Sequence, residues 1–159
     1  MADIKQKFGT NNQALTITLA SLASAAMREC TAVDNTTDLF MDVKVAVKVK
    51  TGASGVSSTG SINIYAYASV DGGTSYTSSA TGSDAVYSGR QSNLIYLGSL
   101  DAVNNAVTYS STFSLSRIFG YGGIPAKWGI IIENLSGAAL DATGGNHSVT
   151  YQGVLAQAV

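Results

Sequence analysis

The sequence predicts an all-β chain, an antiparallel β-sandwich of about eight strands behind an extended N-terminal arm. Three observations predict it. Residues 38–50 alternate strictly, with Leu39, Met41, Val43, Val45, Val47 and Val49 against Phe40, Asp42, Lys44, Ala46, Lys48 and Lys50. Successive strand residues point to opposite faces, so this run has one buried face and one wet face, whereas a helix would scatter the valines around its circumference. Further alternating runs follow, separated by Gly, Asn, Asp and Ser turn signals, with no helix of useful length between them. No repeat of about 20–50 residues is present, which argues against a propeller or solenoid.

The elements follow in order. Residues 1–13 are polar, without periodicity, and read as an arm that orders only against something else, with Ile4 and Phe8 as its anchors. Residues 14–159 read as a single domain. Leu15, Ile17 and Leu19 share one face of a first strand over residues 14–19. The Ala/Ser-rich residues 20–26 have room for one helical turn. Residues 28–34 alternate as a short edge strand, and residues 34–38 (Asp-Asn-Thr-Thr-Asp) are a turn by composition. The long strand then runs to Lys50, and the Gly/Ser-rich residues 51–60 form a loop.

In residues 61–70, Ile62, Ile64, Ala66, Ala68 and Val70 alternate with Asn63, Tyr65, Tyr67 and Ser69. Residues 69–76 (Ser-Val-Asp-Gly-Gly-Thr-Ser-Tyr) resemble the Asp-box turn of sialidase-like propellers, with Ser75 for its threonine and Tyr76 for its tryptophan. That motif is a tight-turn or hairpin device. Residues 74–91 carry weak strand signals and read as a long excursion. Strands are expected over residues 93–100 and 106–115, the latter facing inward through Val107, Tyr109, Ser111, Phe113 and Leu115. Residues 120–123 break the chain. Trp128, Ile130, Ile131 and Ile132 then make a short apolar run, as expected of a central strand covered on both faces. A last strand carries Val149, Tyr151, Gly153 and Leu155. The expected core is the 39–49 set with Ile62, Ile64, Phe113, Trp128, Ile130 and Ile132.

Composition narrows function. Charged residues are 12% of the chain, about half the usual share of roughly 25%, and the net charge is −1. Such a surface suits permanent packing against neighbours, because few charges lose water on assembly; an ordinary Ser/Thr-rich sandwich surface fits equally well. No basic field is present to gather nucleic acid. No apolar run reaches the length of about 18–20 residues needed to span a bilayer. The first residues lack the apolar core of a signal peptide, so the three Asn-x-Ser/Thr triplets read as chance matches. Lys44, Lys48 and Lys50 share one strand face, which reads as solvated and protective against edge aggregation rather than as a partner patch.

Chemistry-bearing residues are sparse. His147 is the only histidine and Cys30 the only cysteine, so no internal disulfide forms and no transition-metal ligand set is available. His147 reads as a surface residue and Cys30 as a small core residue. Asp34, Asn35 and Asp38, and separately Asp71 and Asp84, leave calcium open, although aspartates in turns usually serve the turn itself. No cofactor and no enzymatic activity are expected. The tyrosines are the candidates for binding. Tyr65, Tyr67 and Tyr76 either bury in a partner interface or pack beneath a loop on the second face of a sheet.

Residues 65–73 (Tyr-Ala-Tyr-Ala-Ser-Val-Asp-Gly-Gly), 82–84, 125–130 (Pro-Ala-Lys-Trp-Gly-Ile) and 133–140 together resemble small β-rich virion proteins of tailed bacteriophages. The resemblance spans most of the chain from about Leu15 onward, and its motifs are structural. It implies a jelly-roll-like sandwich present in many copies in the virion, assembled in the host cytoplasm without secretion. The first expectation is a capsid decoration or cement protein, forming a homo-oligomer, a trimer, and clamping the major capsid protein or other virion proteins. The alternative is a tail-tip or tail-fibre module that binds host-surface glycans through its tyrosines.

Overall fold

The computed structural model describes residues 3–119 and 123–158. Residues 1–2 of the expected arm and residues 120–122 of the expected glycine break lie outside the described residues. The strands are β1 (Ile4–Phe8), β2 (Gln13–Ala14), β3 (Met27–Glu29), β4 (Val33–Asp34), β5 (Asp42–Lys50), β6 (Ser61–Ser69), β7 (Ala85–Val86), β8 (Ile95–Asp101), β9 (Thr108–Ser114), β10 (Lys127–Leu135) and β11 (Ser148–Ala158). A single helical turn, α1 (Ser116–Phe119), follows β9.

All strand pairs are antiparallel, and they make two sheets. Sheet A has the order β1-β11-β5-β9, with β2 also on β11; sheet B has the order β7-β3-β10-β6-β8, with β4 also on β10. The chain crosses between sheets at almost every long connection and stays within one only from β6 to β8. With β1/β2 and β3/β4 each counted as one interrupted strand, this is the jelly-roll order, two four-stranded Greek-key sheets, with β7 added at one edge. The expected all-β, jelly-roll-like sandwich is therefore the observed fold.

Val43, Val45, Val47 and Val49 of β5 face Ile62, Ile64, Ala66, Trp128, Ile130 and Ile132 of sheet B in one core. Trp128 meets Tyr151 of the opposite sheet edge-on, with ring centroids 5.3 Å apart. Burying each Val or Ile contributes about 1.5–3 kcal/mol, which enforces the register because a one-residue slip would turn every valine outward. Phe113 packs against this core from β9 but is only partly buried. As expected, β10 is covered on both faces, lying between β3 and β6.

Several sequence expectations need correction. Leu39 and Met41 are exposed (69% and 58%), and Phe40 is buried in their place. The alternation does not start at Leu39 because Asn35 holds the preceding turn. Its side-chain amide donates to the carbonyls of Phe40 and Ile124 (both 3.2 Å), and its Oδ1 accepts the Phe40 N–H (2.7 Å). Leu39 is thereby forced to positive φ (52°), and the inward phase begins only at Val43. Phe40 lies over Gly153, where an added Cβ would come within 2.2 Å of its ring.

The first expected strand, over residues 14–19, keeps only its inward face. Leu15 and Leu19 are buried, but the ladder stops at Ala14. The edge expected over residues 28–34 holds only in part: β4 pairs with β10 alone, but β3 lies between β10 and β7. The Asp-box-like segment makes a tight turn without a hairpin. Asp71 Oδ1 accepts from Ser69 Oγ (2.6 Å) and the Ser75 N–H (3.0 Å), and the next strand, β7, pairs with β3 instead of β6.

Candidate assembly surface

Residues 4–8 lack apolar periodicity, yet they form a strand along the edge of β11 opposite β5. β5 accompanies one edge of β11 only as far as the pair Val154–Asp42, while on the opposite edge β1 runs from Val154 to Ala158, with Phe8 opposite Val154 and Ile4 opposite Ala158. The arm read as lacking a partner in its own chain thus has one. What it does not have is cover, since all five residues of β1 are exposed. Side chains alternate, so Ile4, Gln6 and Phe8 share a face with Val154, Ala156 and Ala158, while Lys5 and Lys7 share the other with Leu155. Ile4 is 78% and Phe8 56% exposed.

A two-stranded ribbon is marginal in water without a third strand or a packed face. Here the sheet body supplies both only at the ribbon's inner end. There a cleft of about 430 Å³ opens, lined by Ile4, Met41, Asp42, Ser116, Val154 and Ala156. Its floor is rigid because Asp42 gathers donors from three elements: the N–H groups of Val43 (2.7 Å) and Ser116 (2.8 Å), Ser114 Oγ, and Lys44 Nζ. Burial raises the Asp42 pKa, but the bonds from Lys44, Ser116 and Ser114 outweigh it and hold the carboxyl at about 2. Exposed Leu39 and Met41 belong to the same turn as this floor. Sequence reasoning placed both in the core; Asn35 five residues before Phe40 was the available signal that a side-chain-clamped turn precedes the strand.

Tyr65, Tyr67 and Tyr76 are not an exposed binding set. Tyr65 and Tyr67 are 6% and 0% exposed, because residues 74–93 fold across the outer face of sheet B. Tyr67 donates to the Cys30 carbonyl (2.5 Å) and lies over Gly129, its partner on β10, where a Cβ would stand 2.3 Å from the ring. Tyr76 stacks edge-on against Tyr67 (5.6 Å) and is partly buried. Tyr65 donates to Glu133 Oε2 (3.0 Å), which also accepts from Asn63 (3.0 Å) and Gln91 (2.6 Å). Glu29 accepts from the Thr81 N–H and hydroxyl (both 2.8 Å). Two carboxylates buried on sheet B thus fasten the excursion. Tyr96, edge-on to Tyr65 (5.6 Å), is the exposed aromatic of this region at 53%.

The remaining polar groups serve structure. Cys30 is fully buried, and burial pushes its pKa up to about 11, so the reactive thiolate is suppressed. His147 Nδ1 accepts the Lys50 N–H (3.3 Å), and Nε2 lies 2.9 Å from the Asp141 carbonyl oxygen. The single turn Gly144–Asn146 brings positions 141 and 147 together, a meeting that strand spacing alone does not allow. Asp34 bonds Thr36 and Lys127, and Asp84 bonds Thr18 and Arg28. Among the described residues, no three His, Cys, Asp or Glu side chains cluster as a metal site. Ser, Thr and Gln side chains of β9 and β11 flank Lys44, Ala46 and Lys48 on the outer face of sheet A.

No family model and no curated protein matches the sequence. Among solved structures, a chain of Desmodium yellow mottle tymovirus aligns over 99% of this chain and 82% of its own, at 11% identity and a TM-score of 0.37. A likeness of that strength adds nothing to the topology described above.

Proposed function

We propose that this chain is a structural protein of a virion, of the decoration kind, that attaches in many copies to an assembled capsid through the β1–β11 ribbon and the cleft at its base. The exposed ribbon carries this reading: it presents Ile4 and Phe8, with exposed Met41 beside it, where the described residues offer no cover. The low charge, the jelly-roll topology and the resemblance to small virion proteins of tailed bacteriophages support the same reading. It involves no catalytic turnover, in keeping with a buried Cys30 and a His147 engaged by backbone groups. The glycan-binding alternative relied on Tyr65 and Tyr67, whose burial removes its main residues.

A protein that binds only the assembled shell stabilises it by mass action. Particles lacking this chain should therefore release their nucleic acid at a lower temperature, and adding the purified chain back should restore the release temperature at fixed, high stoichiometry. Particles with unchanged heat resistance and failed host adsorption would contradict the proposal.

A further inference from the structure

We infer that β1 is an exchange strand, and that in the assembled state the Ile4–Phe8 segment of one copy occupies the β1 lane on β11 of a second copy. This deepens the assembly reading and rests on it. β11 between Val154 and Ala158 is complementary to one sequence known from the structure, residues 4–8 of this same chain, through a five-pair antiparallel register. An identical segment from a neighbour reproduces every one of those contacts, so exchange costs little beyond moving the connection.

The connection is a bulge held by three hydrogen bonds, from the Gly9 N–H to the Gly153 carbonyl and from Gln152 Nε2 to the Gly9 carbonyl (3.1 Å) and to Asn11 Oδ1, which the same residues of a neighbouring copy can remake. β1 and β2 lie on the same side of β11, but four residues, Gly9 to Asn12, stand opposite two, Gln152 and Gly153. This bulge contains a glycine and, at Asn12, a positive φ of 54°. Fully extended, four residues reach about 14 Å, enough to redirect a short strand to an adjacent copy. Beyond the bulge, the hydrogen bonds of β1 among the described residues are those of its ladder to β11, and no core residue comes from it.

Charge disfavours the simpler homotypic contact. If the outer edge of β1 paired with another β1 about a two-fold axis at Lys5, Gln6 or Lys7, a lysine would stand directly opposite a lysine. Like charges in that position destabilise a pair. Exchange keeps Lys5 and Lys7 opposite Gln157 and Leu155.

The test uses full-length chains carrying single cysteines. Gln6 and Ala156 are directly opposed. The Gly9 N–H bond to the Gly153 carbonyl (2.8 Å) sets the ladder phase so that they form a non-hydrogen-bonded pair. Their Cα atoms are then about 4.5 Å apart, a spacing a disulfide spans. A Q6C chain and an A156C chain with different tags are co-expressed and oxidised, with the Q6C/A156C double variant and each single variant run in parallel. Buried Cys30 stays out of the reaction.

Exchange predicts a reducible Q6C–A156C heterodimer, a shift from the 16.3 kDa chain to twice that mass. Closure of the double variant within one chain, with no heterodimer in the mixture, would overturn it. So would Q6C–Q6C dimers without heterodimers, which would mean edge pairing, or no cross-link in any sample, which would mean that the β1–β11 register is wrong. Wild-type chain that decorates particles while the mixture stays monomeric would sink exchange alone. Cross-linking without decoration would sink the shell-binding reading and leave exchange standing.

Discussion

On the outer face of sheet B, Tyr65 and Tyr67 lie beneath residues 74–93; at the end of sheet A, Ile4 and Phe8 are exposed among the described residues. Both places carry large side chains on a strand face turned away from the sandwich interior. The difference is in what the chain supplies locally. Sheet B has Glu29 and Glu133 to fasten a strap through Thr81 and Gln91, and Gly129 to leave a slot for the Tyr67 ring. Among the described residues, the ribbon has no strap, no glycine slot and no buried polar anchor over β1. A covered aromatic face belongs to stability, and on the proposed function an uncovered apolar ribbon is left for another molecule. The comparison also sorts mutations, since changes beneath the strap should unfold the chain, while changes on the ribbon should leave it folded and unattached.

The largest effect expected is in the shared core. Val45→Asp places an unpaired charge at a fully buried site, a cost of several kcal/mol against a total stability of about 5–15 kcal/mol, and should abolish soluble expression. Lys48→Ser, on the outer face of the same strand, should be nearly silent. Lys44 is a poorer control than Lys48 because it belongs to the Asp42 network. Equal tolerance of the two substitutions would overturn the register of β5.

Next come the slots beneath the strap. Gly129→Ala drives a Cβ into the Tyr67 ring and should cost about 1–3 kcal/mol by overpacking. Tyr67→Phe leaves the Cys30 carbonyl without its donor, at a similar cost of about 1–3 kcal/mol. Chemical denaturation reads both. Ile4→Ser and Phe8→Ser, by contrast, should each stay within about 0.5 kcal/mol of the parent, as exposed substitutions do. If the ribbon variants lost as much stability as Gly129→Ala, the contrast between the two regions would collapse.

A smaller effect tests the floor of the cleft. The Asp42 carboxyl sits at about 2 in the folded chain, below an unfolded value of about 3.9. A depressed pKa contributes stability that is fully present above the unfolded value and is lost as pH falls toward the folded one. The native chain should therefore lose part of its stability between about pH 4 and pH 2, and Asp42→Asn should flatten that part of the profile while lowering stability at neutral pH. Asp34 and Asp141, also held at about 2 by local hydrogen bonds, contribute to the same window and should leave a residual slope. An unchanged acid profile in Asp42→Asn would show that the network does not hold the carboxyl as described.

Much of the fold was legible because strand periodicity reports burial directly. The β5 valines, the two-sided β10 run and the closing β11 alternation each declared a face, and turn residues separated them. What could not be read were features set by partners distant in sequence. Nothing in Ile4-Lys5-Gln6-Lys7-Phe8 announces a strand, because its existence depends on the open edge of β11 opposite β5, about 150 residues away in sequence. Leu39 and Met41 continued the valine pattern, and only the Asn35 clamp, a tertiary bond to Phe40 and Ile124, reverses it. The tyrosines allowed two readings because a strand face looks the same in sequence whether a strap or a partner covers it. Glu29 and Glu133, the two carboxylates that fasten the strap, gave no signal on their own, since each stands within an ordinary strand.

The measurement that tests the central claim most directly compares the full chain with one lacking residues 2–8, a cut that stops before Gly9, which packs against Phe40 and bonds Gly153. Thermal melting and co-sedimentation with particles stripped of this protein are read on the same preparations. The account expects the truncated chain to melt within a few degrees of the full chain and to fail to co-sediment. A truncated chain that has lost its melting transition would place β1 in the folding core, and one that still decorates particles would place the attachment surface elsewhere; either result contradicts the account.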